Sequence, residues 1–262
     1  MKADCIIEFR NVHKAFGDNS VYTGLDLCVH RGETITVIGG SGSGKSVLLK
    51  ILIGLIEPDE GEVWFDGERV TSEKQLFEVR KRVSMLFQGA ALFDSMPVAE
   101  NIAYPLREHF SLSDAEIEKR VAEKLRMVGL EGLEDQFPAE LSGGMKKRVA
   151  LARAIATEPD VILYDEPTTG LDPINANRIN HLIRQMQRML SVTSIVVTHD
   201  MQSAFSVSDR IAMLYDRRIP VVDTVDNIMS SAIPEVRNFI EGRFEEIDAR
   251  YKRGTNGQEN KT

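Results

Sequence analysis

The chain contains 262 residues, of which 42% are hydrophobic and 27% charged, and its formal net charge is −8 at pH 7. This length is enough for one large α/β domain with a smaller lobe. The negative charge argues against nucleic acid as the main partner, and the chain has no apolar run of about 18 residues that would predict a membrane span.

The N-terminal segment and the cysteines indicate the cellular compartment. The first ten residues lack the long apolar core of a signal peptide. Cys5 and Cys28 lie in apolar, strand-like segments and do not have the spacing of metal ligands. They predict reduced thiols in a cytosolic protein.

Alternating strand and helix patterns fill most of the chain. A capping box joins Ser113 to Glu116 and predicts the start of one helix, and a second helix is predicted from 142 to 156. The segment 89–107 contains two prolines and predicts a surface loop with short helices. Another amphipathic helix precedes the last predicted strand. Apolar and β-branched runs predict strands at 6–12, 25–30, 33–38, 62–66, 82–88, 161–165 and 193–198.

A glycine-rich segment follows the strand predicted at 33–38 and precedes a helix-like run. It fits the P-loop pattern G-x-x-x-x-G-K-[ST], in which backbone N–H groups approach phosphate oxygens. Lys45 is predicted to reach the β- and γ-phosphates of ATP, and the Ser46 hydroxyl to bind Mg²⁺. The residues predicted to bind ATP here are Gly39, Gly40, Ser41, Gly42, Ser43, Gly44, Lys45, Ser46 and Val47.

Two acidic residues end the strand predicted at 161–165. Asp165 is predicted to hold Mg²⁺, and Glu166 to polarise the attacking water as general base. An isolated Asp-Glu pair would be weak evidence, because many strands end in a solvated acidic turn. Together with the P-loop, the pair predicts a nucleotide-hydrolysing site.

A short turn, Leu141-Ser142-Gly143-Gly144, opens the helix predicted from 142 to 156. Its backbone N–H groups offer a second place for a phosphate. Two phosphate-binding loops so far apart in sequence suggest that ATP is held between two surfaces. If those surfaces belong to different subunits, ATP binding closes the pair and hydrolysis releases it.

Six motifs, in order and spacing, make the chain similar to the ATPase subunit of an ATP-binding-cassette (ABC) transporter, over essentially residues 5 to 225. They are Gly39 to Ser46, Gln88, Leu141 to Gly144, Asp165-Glu166, Gly170 to Asp172, and His199. The resemblance implies an α/β fold: a RecA-like P-loop NTPase core with an antiparallel β subdomain and an α-helical signature subdomain at about 89–157. It implies an ATPase domain at 1–225, with a C-terminal amphipathic extension and disordered tail at 226–262.

The same resemblance assigns roles to residues outside the P-loop. It implies that Phe16 stacks on adenine, that Gln88 senses Mg²⁺ and links the site to a membrane subunit, and that His199 contacts the γ-phosphate. Ser142, Gly143 and Gly144 would contact the γ-phosphate bound to the opposite subunit, and Asp172 would lie in a loop crossing the dimer interface. The turn at 141–144, called the signature turn below, corresponds to the family's signature motif. The motif usually ends in glutamine, but here Met145 follows the turn.

The resemblance also implies partners. In the family, the region corresponding to 89–107 receives a coupling helix of the membrane permease. The chain is most similar to ATPases that work with mammalian-cell-entry-type lipid-binding proteins, in the phospholipid-trafficking system that maintains outer-membrane lipid asymmetry. This implies a homodimer on the cytoplasmic face of the bacterial inner membrane, with permease, periplasmic lipid-binding and small accessory subunits. The expected substrate is phospholipid, moved between the inner and outer membranes.

Other functions use the same catalytic motifs. The chain could serve another ABC importer or exporter, or a signalling ATPase that pulls on a membrane protein without transport. A soluble cassette ATPase of DNA repair or translation is disfavoured, because the chain has neither a long coiled-coil insertion nor a second cassette.

A helix predicted after Pro234 either packs on its own core or docks on another subunit. Its apolar residues are Val236, Phe239, Ile240, Phe244, Ile247 and Tyr251.

Overall fold

Short, largely apolar strands build the central sheet. In the computed structural model, which describes residues 5–242, six strands form one sheet. Five of these strands are parallel, and the sixth, at one edge of the sheet, pairs antiparallel with its neighbour. The order is β10 (Arg218–Thr224), β9 (Arg210–Tyr215), β3 (Thr34–Ile38), β8 (Thr193–Thr198), β7 (Val161–Asp165) and β6 (Val83–Leu86). Strands β3, β7 and β8 are buried at every position, as expected for a parallel sheet covered on both faces.

A second, antiparallel sheet lies beside the first. It contains β2 (Asn19–His30), β1 (Cys5–Phe16), β4 (Glu60–Phe65) and β5 (Glu68–Arg69), in that spatial order. β1 and β2 are longer than the strands predicted from sequence, because their outer halves pair with each other around the turn after Phe16. The two sheets confirm the predicted α/β core with an antiparallel β lobe.

Helices cover the central sheet and form the helical lobe. The buried faces of α3, α4 and α5 share one apolar cluster with α6. The helix predicted after Ser113 is α4, and its capping box is present. The helices are α1 (Lys45–Leu52), α2 (Glu73–Arg82), α3 (Val98–His109), α4 (Asp114–Met127), α5 (Gly143–Ile155), α6 (Pro173–Leu190), α7 (Met201–Val207), α8 (Val225–Met229) and α9 (Pro234–Glu241), with a 3₁₀ turn at Pro138–Glu140.

The segment 89–107 differs from the sequence prediction from residue 98 onward. There the chain forms the 12-residue helix α3, which contains Pro105. Val98, Ile102 and Leu106 recur every four residues and are each 0% exposed. Burying three large apolar side chains outweighs the cost of about 3 kcal/mol for a proline inside a helix.

The Asn101 side chain forms hydrogen bonds between α3 and the loop that precedes it. Its side chain is 0% exposed; it accepts a hydrogen bond from the Phe93 N–H at 2.8 Å and donates to the carbonyls of Phe93, Met96 and Pro97. Asn101→Ala removes the side-chain partner of the Phe93 N–H and of the Met96 carbonyl, whereas the Phe93 and Pro97 carbonyls keep backbone donors, so we expect the free energy of unfolding to fall by about 2–3 kcal/mol. Urea unfolding followed by circular dichroism measures this. The exposed Asn227→Ala is the control and should change stability by less than about 0.5 kcal/mol; equal losses in both variants would contradict the account.

The cysteines also differ from the prediction. Cys5 and Cys28 lie on the paired strands β1 and β2, with Cα atoms 5.6 Å apart, and the structure joins them in a disulfide. The prediction of reduced thiols is therefore wrong for this structure. A register shift next to Cys5 brings the two side chains together, and sequence spacing does not reveal such a shift.

The C-terminal helix packs on its own chain as far as the structure describes it. Val236 is buried with Ile38, Ile211 and Ile228, and Phe239 and Ile240 pack against the same cluster. The predicted helical residues Phe244, Ile247 and Tyr251, and the predicted disordered tail, lie outside the described residues. Within residues 5–242, no helix combines the length and the apolar character needed to cross a membrane.

Candidate nucleotide site

The glycine-rich loop between β3 and α1 depends on glycine at its two ends. Gly44 has φ 105°, and a Cβ there would lie 2.4 Å from Val21 Cγ1. A Cβ on Gly39 would lie 2.7 Å from the Leu214 carbonyl oxygen. The backbone can therefore approach its neighbours, and a phosphate, more closely than any chain with side chains at these positions. The Tyr22 hydroxyl donates to the Gly44 carbonyl at 2.6 Å and fixes the end of the loop.

Lys45 lies beneath this loop. It is 7% exposed, and its Nζ donates to the carbonyls of Gly39 and Gly40 at 2.9 and 3.0 Å. Burial lowers the pKa of the Lys45 amine, and the negative charges of Glu166 and Asp165 oppose that shift. The side chain thus holds a positive charge at the floor of the loop, where a bound phosphate chain would meet it.

Ser46 and Asp165 meet across the site although they are 119 residues apart. The Ser46 Oγ donates to the Asp165 Oδ1 at 2.6 Å, because α1 begins over the carboxyl end of β7. Together with the side chain of Gln88, which lies two residues after β6, the site offers a hydroxyl, a carboxylate and an amide. These oxygen donors suit Mg²⁺, a hard cation that is bound through oxygen.

Glu166 follows β7 in a left-handed conformation, with φ 47°. Its N–H still donates to the Val197 carbonyl at 2.9 Å, so the sheet holds the turn in place. The carboxylate is anchored on both sides: its Oε2 accepts from the Thr198 and Thr169 hydroxyls, each at 3.1 Å. Its Oε1 lies 2.9 Å from the His199 Nδ1.

One cavity of about 350 Å³ is lined by nine residues, and all nine are predicted site residues. Gly39, Gly40, Ser43 and Asp165 are predicted site residues that are not part of its lining. Phe16 is also absent from the lining formed by residues 5–242: it is 48% exposed at the end of β1, with its ring 5.3 Å from the Lys14 Nζ. The lining residues are Ser41, Gly42, Gly44, Lys45, Ser46, Val47, Gln88, Glu166 and His199.

The signature turn does not face this cavity within the same chain. Ser142 and Gly143 are exposed. The Ser142 Oγ caps α5 by accepting from the Met145 N–H at 3.3 Å. Asp172 similarly caps α6, and hydrogen bonds from the Asn175 and Ile174 N–H groups hold its pKa below the usual value. Ser142 and Gly143 are therefore open to contact with another molecule.

Sequence reasoning missed several residues that shape the site. Thr169 and Thr198 orient Glu166, and Tyr22 supports the P-loop. Lys147 lies behind the site on α5, only 5% exposed. Its signal was present in the sequence: it is a lysine at helical spacing from the buried Gly144 and Leu151, on a face that is otherwise apolar.

Known proteins show the same combination of features. A family profile described as "ABC transporter" matches residues 22–169, more than half of the chain. The chain belongs to the ABC transporter family. This confirms the resemblance inferred from the six motifs, and with it the P-loop NTPase fold class and ATP hydrolysis as the activity of this ABC ATPase.

Three curated relatives each match 90% of this chain. "Intermembrane phospholipid transport system ATP-binding protein MlaF" of Escherichia coli (strain K12) is 42% identical over 90% of this chain and 89% of its own length. Its Haemophilus influenzae counterpart is 41% identical over 90% of both chains. "Probable ribonucleotide transport ATP-binding protein mkl" of Mycobacterium tuberculosis (strain ATCC 25618 / H37Rv) is 41% identical over 90% of this chain but 67% of its own length.

Solved structures agree on the fold. The ATP-binding cassette MJ0796, described as dimeric in a post-hydrolysis state bound to ADP and Pi, has a TM-score of 0.76 and 32% identity over 84% of this chain and 98% of its own. CbiO1 from Clostridium perfringens, part of the transporter complex cbiONQ, has a TM-score of 0.80 and 29% identity over 95% and 99%.

Another cavity opens beside the segment 89–107. It encloses about 440 Å³ and includes Met85, Phe87, Phe93 and Tyr104 in its lining. The rings of Phe93 and Tyr104 lie 5.0 Å apart, and these residues are 41% and 40% exposed. Two exposed aromatic residues next to a cavity are typical of a surface that binds another protein.

Proposed function

We propose that this ABC ATPase is the ATP-hydrolysing subunit of a membrane transporter that moves phospholipid between the inner and outer membranes. The observation that carries this proposal is the 42% identity to MlaF over 90% of this chain and 89% of the relative. The relatives named for ribonucleotide transport are matched over only 67% to 69% of their length. The division into an ATPase domain at 1–225, with a helical subdomain at about 89–157, and an extension at 226–262 is part of the proposal.

Two copies of the chain would enclose two ATP molecules. The P-loop and Lys45 of one copy bind the phosphates, Ser46, Asp165 and Gln88 hold Mg²⁺, and Phe16 covers the adenine. The signature residues 142–144 of the other copy contact the γ-phosphate. The exposed signature turn supports this arrangement, because a helix N-terminus facing outward favours an anion brought by a partner. Bound Mg²⁺ would neutralise charge on the phosphate oxygens.

Hydrolysis needs a base beside the γ-phosphate. Glu166 would take a proton from water while the water oxygen bonds to the γ-phosphorus and the bond to the bridging oxygen of ADP breaks. Thr169 and Thr198 keep the Glu166 Oε2 in place, so the Oε1 is the atom that faces the water. His199, whose side chain is 62% exposed, would leave this oxygen and contact the γ-phosphate instead.

The cavity beside 89–107 would receive the permease. It adjoins Gln88 in sequence, so a helix seated there could move the end of β6 and the magnesium site together. Placement of the chain on the cytoplasmic face of the inner membrane, and periplasmic lipid-binding and small accessory subunits, follow from the similarity to MlaF and remain part of the proposal.

Affinity purification tests the substrate and the partners together. Tagged Glu166→Gln is purified from native membranes in mild detergent, because a hydrolysis-deficient dimer keeps its assembly closed. We expect a permease, a periplasmic lipid-binding protein and phospholipid to co-purify, detected by mass spectrometry and lipid analysis. A permease with a solute-binding protein, or a membrane protein without substrate, would contradict the phospholipid proposal and leave the ATPase intact.

A further inference from the structure

Lys147 is a buried lysine that none of the motifs includes. It lies on α5, five residues after Ser142, and its side chain is 5% exposed. Its Nζ donates to the main-chain carbonyl of Gln88 and lies 3.5 Å from the main-chain carbonyl of Glu166. A single ammonium group therefore contacts both residues that carry the proposed magnesium and base functions.

The two carbonyls belong to neighbouring loops. β6 and β7 are adjacent parallel strands, so Gln88 and Glu166 emerge from the same edge of the sheet. A hydrogen bond to a carbonyl restrains the orientation of its peptide group, and this restrains the position of the Cα atom from which the side chain extends. Lys147 thus limits how far the Gln88 amide and the Glu166 carboxylate can move relative to each other.

Stability alone does not explain a lysine at this position. Burial lowers the pKa of Lys147, while Asp165 and Glu166 oppose that shift, and a buried ammonium is costly without a close counter-ion. Lys124, another buried lysine of the helical lobe, does have counter-ions. It is 1% exposed, and its Nζ lies 3.2 Å from carboxylate oxygens of both Glu123 and Glu158. The hydrogen-bond acceptors of Lys147 among residues 5–242 are main-chain carbonyls, both in the catalytic loops.

We propose that Lys147 is a positioning residue for ATP hydrolysis: it couples the helix that begins at the signature turn to the carbonyls of Gln88 and Glu166, and so sets the distance between the magnesium site and the base. The inference rests on the proposed roles of Gln88 and Glu166. Because α5 rises about 1.5 Å per residue, Lys147 lies only about 7.5 Å along the helix from Ser142. Movement of the signature turn therefore reaches both catalytic loops through one side chain.

The test compares variants of the full-length chain in steady-state ATP hydrolysis. Lys147→Met keeps the length and apolar stem but removes the ammonium, and we expect kcat to fall about 10- to 100-fold, the cost of misplacing catalytic groups by a fraction of an ångström to one ångström. KM for ATP should stay within about twofold, because the P-loop is intact. Lys147→Arg keeps a charged donor and should recover most of the lost kcat.

Lys124→Met is the matched control, since it also removes a buried ammonium from the helical lobe. It should change the melting temperature but leave kcat unchanged. An unchanged kcat in Lys147→Met, a rise in KM alone, or an equal loss of kcat in Lys124→Met would overturn the inference. Lys147→Arg as slow as Lys147→Met would also overturn it.

Failure of the inference is distinguishable from failure of the proposed function. Wild-type protein and Glu166→Gln are measured alongside. If both hydrolyse ATP equally well, the assignment of the base is wrong, and the inference fails with it. If wild type is fast, Glu166→Gln is slow and Lys147→Met is as fast as wild type, only the role of Lys147 is wrong.

Discussion

Replacing Glu166 by glutamine should abolish ATP turnover while leaving ATP binding intact. Glutamine has the same shape, and its amide oxygen can still accept from the Thr169 and Thr198 hydroxyls, but it cannot take a proton from water. We expect kcat to fall about 10²- to 10⁴-fold, the range attributed to a positioned general base. The P-loop contacts do not involve this side chain, so affinity for ATP should change little.

Two measurements check this prediction. Steady-state hydrolysis gives kcat, and gel filtration with light scattering in the presence of ATP and Mg²⁺ gives the oligomeric state. We expect Glu166→Gln to accumulate as an ATP-bound dimer, because closure occurs but hydrolysis does not follow. The control is Glu118→Gln on the exposed side of α4, which should behave as wild type. Near-normal hydrolysis by Glu166→Gln would exclude this residue as the base.

Replacing Lys45 by alanine should remove nucleotide binding itself. The Lys45 Nζ donates to the Gly39 and Gly40 carbonyls, so its loss both loosens the loop and deletes the positive charge at its floor. We expect affinity for ATP to fall at least about 100-fold, or about 2.7 kcal/mol, in keeping with loss of charge-assisted hydrogen bonds to phosphate.

Titration calorimetry with ATP and Mg²⁺ measures this loss directly. Lys50→Ala provides the control, because it removes the same charge from the last turn of the same helix, α1. That variant should bind ATP within about twofold of wild type, as expected for a surface substitution away from the site. Equal affinities for Lys45→Ala and wild type would show that ATP does not bind at the P-loop.

Local sequence signals predicted the parts of the site that one strand or one turn determines. β7 and β8 have the predicted bounds, because each is a short apolar run that ends in polar residues. The helix predicted from 142 begins after Ser142, whose side chain caps it as serine commonly does. The P-loop followed from its glycines and its Lys-Ser pair.

Contacts between distant segments could not be predicted from these signals. The Lys147 contact with Gln88 joins residues 59 apart in the chain, and pairing of Cys5 with Cys28 depends on a register shift. The region of α3 was predicted as a surface loop with short helices because its prolines are strong local signals, whereas the burial of Val98, Ile102 and Leu106, which favours one long helix, is a tertiary effect. The position of Phe16 relative to a bound adenine depends on a ligand and a closed state, so its role stays a prediction.

If each ATP is shared between two copies of the chain, two inactive variants should restore activity to each other in a mixed dimer. Lys45→Ala disables the P-loop. Ser142→Asp keeps an N-cap about as good as serine but places a negative charge against the γ-phosphate. In a mixed dimer, one site joins the intact P-loop of the Ser142→Asp copy to the intact signature turn of the Lys45→Ala copy.

ATP hydrolysis is measured for each variant alone and for their equimolar mixture. If the sites are shared, each variant alone is inactive and the mixture recovers part of the wild-type rate, because one complete site forms in every mixed dimer. If the signature turn served the P-loop of its own chain, no mixed dimer would contain a complete site. A mixture that stays as inactive as its components, while light scattering shows that mixed dimers form, would contradict the account.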